Sequence, residues 1–122
     1  MIKHLVRQNS FELFWKFSFC AVLSILLFLT LISSPPNPIE FHQIDKVYHL
    51  MAFAGFTLVF CMAFLKLNRL AIFTFSALLG VTIEVIQFYL PSRGFSVGDM
   101  IADVVGVLFG LFVAKILLKD KR

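Results

Sequence analysis

The fold is decided by residues 83–110, IEVIQFYLPSRGFSVGDMIADVVGVLFG. Two apolar segments flank a short loop with proline and glycine, as expected where one membrane-spanning helix ends and the next begins. Charged side chains at membrane depth cost free energy and mark candidate functional sites. The stretch nevertheless contains Glu84, Gln87, Arg93, Asp99 and Asp103, so the rest of the chain is interpreted as the scaffold around them, with one partner segment, DKVYH at 45–49.

The composition predicts a membrane protein of the all-α class. The chain has 122 residues, of which 60% are hydrophobic and 16 are phenylalanine. Soluble domains are about 45–50% apolar, and a globule of this size could not bury so much apolar surface. Strand-like alternation is absent and the apolar runs are long, which argues against a transmembrane barrel. We therefore predict a single integral membrane domain over residues 1–122.

Four apolar segments follow one another along the chain. The first contains an uncharged run of 17 residues, Phe17–Ser33, and the prolines at 35, 36 and 38 end it. Its basic start resembles a signal peptide, but the run is longer than a usual signal core, so we expect an uncleaved anchor. The predicted spans are about 15–33, 46–65, 70–90 and 99–118, which would form a compact antiparallel bundle.

The basic residues lie at the ends of these spans, which fits orientation signals better than a nucleic-acid surface. Four spans place nine Lys or Arg residues on the side of both termini and the 66–69 turn, and two, Lys46 and Arg93, on the other side. The positive-inside rule then predicts cytoplasmic termini in the inner (cytoplasmic) membrane, with no nucleic-acid partner.

This orientation gathers polar residues at the extracytoplasmic face, where the second and fourth helices begin and the third ends. Within each helix they are spaced by three or four residues and share one face. We expect them to line a pocket open to that side. The candidate ligand-binding residues are Asp45, Lys46, His49, Glu84, Gln87, Arg93, Asp99 and Asp103.

Several of these residues also have a structural interpretation. Asp45 and Asp99 stand where helix N-caps are expected, and Arg93 could pair with a nearby carboxylate or bind a ligand anion. Glu84 could hold helices together or act as a general acid or base, and Gln87 could form an interhelical hydrogen bond or a pocket wall. His49, four residues after Asp45, could be an oriented imidazole.

Metal and oligomer sites are weakly indicated. His49, Glu84, Asp99 and Asp103 suit a hard or borderline cation, but no spacing dictates a site, and we assign no metal and no cofactor. The GxxxG pair Gly106 and Gly110 allows close helix approach. We expect packing against Gly80 within the chain, with a homo-oligomer as the alternative.

Three segments together resemble the VanZ-like membrane protein family. Its pattern is approximately D-K-x-x-H, then E-x-x-Q followed by an arginine, then D-x-x-x-N-x-x-G. The match covers about residues 40–112, and Asp103 stands where the family usually has asparagine. The segments are DKVYH with MAFAGF (45–49, 51–56), EVIQF with Pro91 and Arg93 (84–88), and SVGD with Asp103, Gly106 and Gly110 (96–99).

The resemblance implies an association with resistance to the glycopeptide antibiotic teicoplanin, which acts on outward-facing peptidoglycan precursors. The resemblance carries over seven polar positions without assigning them a reaction, and the departure at Asp103 weakens the carry-over there. The seven are Asp45, Lys46, His49, Glu84, Gln87, Arg93 and Asp99. We therefore expect the protein to bind membrane lipids and a lipid-linked or anionic cell-envelope component. The alternatives are a membrane enzyme with Glu84 and His49 as catalytic acid and base, or a structural subunit of a membrane complex.

Overall fold

The computed structural model describes residues 1–32, 44–90 and 94–119, with only the backbone of residues 44 and 45. These ranges contain four helices and no strand: α1 (Ile2–Leu31), α2 (Ile44–Ala63), α3 (Arg69–Tyr89) and α4 (Val97–Leu117). All four are long and apolar enough to cross a membrane. The predicted all-α class and the four spans are confirmed.

Two side-chain caps set the helix starts that follow the loops. Asn68 Oδ1 accepts a hydrogen bond from the Leu70 amide at 2.9 Å and caps α3. Ser96 Oγ accepts one from the Asp99 amide at 3.2 Å and caps α4. Asp99 therefore lies in the first turn of α4, where its charge suits the helix dipole, and its interpretation as the N-cap is wrong.

Helix α1 is longer than the span predicted for it. Its 30 residues extend about 45 Å, against about 30 Å for the hydrocarbon core of a bilayer. Lys16 Nζ lies 5.9 Å from the centre of the Phe64 ring, at the end of α2. The part of α1 before Lys16 therefore continues past the end of α2. The helix is longer than the predicted span because its backbone stays helical through the polar residues that precede the apolar run.

Close backbone contact joins α2 to α4, the most extensive helix pair in the described part of the chain. A Cβ atom at Gly110 would lie 2.6 Å from the Ala54 carbonyl oxygen, and one at Gly106 would collide with the Leu50 carbonyl oxygen. The GxxxG pair thus packs within the chain, as predicted, but its partner is α2. The expectation that it packs against Gly80 of α3 is wrong, because repeated glycines indicate a close contact without identifying the partner helix.

The core is apolar near the 64–68 turn and becomes polar towards the opposite end. The Phe19 ring of α1 lies 5.5 and 4.8 Å from the rings of Phe56 and Phe60 on α2, and 5.3 Å from the ring of Phe64, which directly follows α2. Large apolar side chains cover much of the outer surface, as a lipid-facing surface requires. Between the phenylalanine layer and the polar end lies a second buried cluster of Leu26, Phe53, Ile83 and Val107.

Candidate functional site

The polar cluster is centred on a contact between α2 and α4. His49 Nδ1 lies 2.7 Å from Asp103 Oδ1, and the two residues are only 8% and 1% exposed. When the Asp103 carboxylate is ionised it only accepts hydrogen bonds, and the imidazole then donates from Nδ1. Gly80 makes room for the aspartate, since a Cβ there would lie 3.0 Å from Asp103 Oδ2. The Asp103 side chain therefore extends from α4 to contact both α2 and α3.

Glu84 adds a carboxylate from α3. Its side chain is fully buried, and the residue lies about 7.5 Å before the end of the helix at 1.5 Å per residue. Oε2 accepts a hydrogen bond from the Ser96 amide at 3.2 Å, so α3 is tied to the residue that caps α4. Oε1 lies 3.9 Å from His49 Nδ1 and has no hydrogen-bond partner in the described ranges. One oxygen is therefore held while the other faces the imidazole.

Asp99 and Lys46 lie on the outer side of this cluster. Asp99 Oδ2 is 3.7 Å from His49 Nε2, on the ring edge opposite Asp103. Lys46 Nζ is 3.6 Å from Asp99 Oδ1, and its stem passes where a Cβ of Gly98 would be. The side chains of Lys46 and Asp99 are 43% and 14% exposed. Exposure therefore falls from Lys46 through Asp99 and His49 to the buried Glu84 and Asp103.

Gln87 is buried but turns towards a different helix. Its Nε2 donates a 2.7 Å hydrogen bond to the Thr30 carbonyl in the last turn of α1. This contact joins α1 to α3 at the polar end of the bundle, in agreement with the interhelical interpretation. The predicted site residues Asp45, through its side chain, and Arg93 lie outside the described part of the chain. Their contribution to the pocket stays a prediction.

The described cluster can hold a proton or a cation. It contains three carboxylates, from Glu84, Asp99 and Asp103, with one imidazole and one lysine among the residues that the structure describes. No metal site was assigned from the sequence. The structure nevertheless brings one donor atom each from His49, Glu84 and Asp103 within 4.8 Å of one another.

Aromatic side chains surround the polar end of the bundle at its surface. Tyr48, Tyr89 and Phe95 are 45%, 78% and 48% exposed. Tyrosine is enriched at membrane–water interfaces, where its ring contacts the acyl region and its hydroxyl contacts the head groups. This pattern favours a position of the polar cluster near the head-group level of one leaflet.

Four apolar helices around a buried carboxylate–histidine cluster define a multi-pass helical membrane protein. A family model described as VanZ/LLP1 matches residues 2–118, and the chain belongs to this family. The resemblance noted over residues 40–112 is confirmed and extends through α1. No curated protein and no solved structure gives a significant match.

Ser96 was not among the predicted site residues, although it holds the site together. It caps α4 through Oγ and donates its amide to Glu84. The spacing of Ser96 and Asp99 is that of an N-terminal capping motif, a serine followed three residues later by an acidic residue. That signal could have located the start of α4 at Val97. The bond to Glu84 depends on tertiary packing and has no sequence signal.

Proposed function

We propose that this VanZ-family protein binds the polar head group of a lipid-linked or anionic cell-envelope component at the polar end of α2, α3 and α4. The observation that carries the proposal is the order of exposure, from half-exposed Lys46 to fully buried Glu84. Such an order is typical of a site with a mouth near the head groups and a base among the helices. A purely structural cluster does not require it.

Lys46 would contact the anionic part of the ligand. Its 3.6 Å distance to Asp99 is longer than a good hydrogen bond, so an anionic oxygen can replace Asp99 at little cost. Behind it, Asp99 and His49 could bond hydroxyl or amide groups. Arg93, predicted at the same face, would supply a second cation. Membership of the VanZ/LLP1 family, together with the resemblance described above, makes a contribution to glycopeptide resistance part of this proposal.

Replacing Lys46 by alanine is expected to remove most of the co-purifying anionic lipid, because the cation at the mouth is lost. Native mass spectrometry of the detergent-purified protein measures this retention. Lys66→Ala is the matched control and should retain the wild-type lipids, since this exposed lysine lies in the turn after α2, at the other end of the bundle. Equal retention by both variants and the wild type would rule out the proposed head-group site.

The polar end is expected to face the extracytoplasmic side. Only two of the eleven Lys and Arg residues, Lys46 and Arg93, belong to this end by sequence, and basic residues concentrate on the cytoplasmic side. In intact cells, a membrane-impermeant maleimide should label a Phe95→Cys variant and leave Lys66→Cys unlabelled. The parent chain controls for Cys20 and Cys61, which lie within apolar helices. Labelling confined to Lys66→Cys would reverse the orientation and exclude an extracytoplasmic ligand.

A membrane enzyme is the second candidate. The observation that favours it is the 2.7 Å contact between His49 and Asp103, with Glu84 Oε1 3.9 Å from the same ring nitrogen. A carboxylate that orients an imidazole beside a second carboxylate is suited to general acid–base catalysis. Turnover of a lipid-linked phosphate or acyl substrate, abolished in a folded Glu84→Gln variant, would favour this function. Unfolding of that variant would favour a structural role.

A further inference from the structure

At the base of the cluster, three helices each contribute one buried side chain with a metal-binding donor atom. The donor atoms of His49 on α2, Glu84 on α3 and Asp103 on α4 all lie within 4.8 Å of one another. We propose that these three residues bind one divalent metal cation. The inference concerns the base of the cluster and does not require the head-group ligand proposed above.

The distances between the donor atoms are close to those around a bound metal. Ligand bonds of 2.0–2.2 Å place neighbouring donors about 3.0 Å apart in octahedral geometry and about 3.4 Å apart in tetrahedral geometry. His49 Nδ1 lies 2.7 Å from Asp103 Oδ1 and 3.9 Å from Glu84 Oε1. The two distances fall on either side of the required values. Changes of less than about 1 Å would bring both distances to these values, and the donor atoms of Glu84 and Asp103 lie within 4.8 Å of each other.

A second observation points to a ligand at this place. Glu84 is fully buried, and its Oε1 has no hydrogen-bond partner in the part of the chain that is described. The other oxygen is held by the Ser96 amide, so Oε1 is directed at the imidazole by a fixed carboxylate. A buried carboxylate oxygen without a hydrogen bond is costly. A cation between Oε1 and Nδ1 would give it a partner.

The surroundings of the histidine fit the same role. Metal-binding histidines usually donate their second ring nitrogen to a carboxylate, which fixes the ring and the tautomer. With the metal on Nδ1, the Nε2 proton would face Asp99 Oδ2, now 3.7 Å away. Lys46 in turn contacts Asp99 at 3.6 Å. The cluster therefore contains both the direct ligands and the carboxylate that would orient one of them.

The donor set selects the type of metal. One imidazole nitrogen and two carboxylate oxygens suit a borderline or hard cation such as Zn²⁺ or Mn²⁺, and no sulfur ligand is present among the three residues. Three protein ligands leave at least one coordination position open. Water, or an oxygen atom of a bound molecule, would occupy that position.

Metal titration of the full-length detergent-purified protein tests the proposal. After treatment with a chelator, Mn²⁺ binding is measured by electron paramagnetic resonance, and Zn²⁺ is counted by elemental mass spectrometry. We expect one ion per chain in the wild type. Glu84→Gln and Asp103→Asn should each weaken binding by more than about tenfold, the lower limit seen even for indirect ligand partners. Glu12→Gln, a carboxylate on α1, is the matched control and should bind as the wild type does.

Two variants protect the test against misfolding. Glu84→Gln keeps the acceptor for the Ser96 amide, and Asp103→Asn keeps the acceptor for His49. Circular dichroism identifies which variants are folded, and weakened binding in every folded variant supports the site. Absence of stoichiometric metal in the wild type, or wild-type affinity in a folded variant, would overturn it. Lipid retention by the same samples is scored separately, so failure of the metal site leaves the lipid result unaffected.

Discussion

Replacing Gly106 by alanine is expected to destabilise the bundle strongly, whereas the same change at Gly55 should leave it intact. A Cβ atom at Gly106 would collide with the Leu50 carbonyl oxygen and lie 3.1 Å from Leu50 Cα. These are backbone atoms of α2 and cannot rotate away as a side chain does. The helices would have to separate, and overpacking of this kind typically costs about 1–3 kcal/mol.

Separating α2 from α4 would also disturb the polar cluster. Leu50 follows His49 directly, so moving α2 away from α4 at this level lengthens the 2.7 Å contact with Asp103. Gly110, one turn further along, has a similarly close neighbour in Ala54 and would limit any tilting of α4. A single methyl group is therefore expected to affect both packing and the site.

Thermal unfolding in detergent measures the effect. Gly55 is exposed on α2, and no described atom would lie within 4 Å of a Cβ there. Alanine is favoured over glycine in a helix by about 0.5–1 kcal/mol, so Gly55→Ala should melt at or above the wild-type temperature. Equal melting temperatures for Gly106→Ala and Gly55→Ala would show that α2 and α4 do not pack through this glycine.

Sequence patterns predicted the helices well because apolar length is a local property. Four runs of bilayer length, separated by prolines and a polar turn, correspond to α1 through α4. The start of α1 was misplaced because residues 2–14 are polar enough to leave the membrane yet continue the helix. The predicted packing partner of Gly106 was wrong because the arrangement of all four helices decides which helix this glycine contacts.

The composition of the site was partly predictable for a similar reason. Spacing of three or four residues places His49, Glu84 and Asp103 on defined helix faces, and the orientation of the charges brings those faces to one end. Nothing in the spacing distinguishes Glu84, which faces the histidine, from Gln87, which bonds to α1. That difference arises from the position of α1, which no local pattern encodes.

Replacing His49 by alanine is expected to cost about 3–5 kcal/mol of unfolding free energy. This is the usual loss when one partner of a buried ion pair is removed, and a protonated imidazole would form such a pair with Asp103. The imidazole is only 8% exposed and contacts Asp103 Oδ1 at 2.7 Å, Glu84 Oε1 at 3.9 Å and Asp99 Oδ2 at 3.7 Å. Its loss leaves three carboxylates facing one another without the group that separates them.

Equilibrium unfolding in mixed micelles measures this free energy, and His4→Ala is the matched control. His4 is exposed on α1, and surface substitutions usually change stability by less than about 0.5 kcal/mol. A His49→Ala variant as stable as His4→Ala would show that the carboxylates do not need the imidazole, and the cluster would then not be an electrostatic unit.

A second substitution identifies why the His49→Ala variant loses stability. Asp103→Asn keeps the side-chain shape and removes one negative charge from the cluster. In the His49→Ala background it should restore part of the lost stability, whereas in the wild type it weakens the contact with His49, because the acceptor stays but its negative charge is lost. The coupling between the two positions is expected to be about 0.5–3 kcal/mol, the range for residues in direct contact.

Coupling near zero would mean that His49 stabilises the bundle by filling space. Strong coupling would show that the histidine holds the carboxylates of α3 and α4 together through its charge and hydrogen bonds.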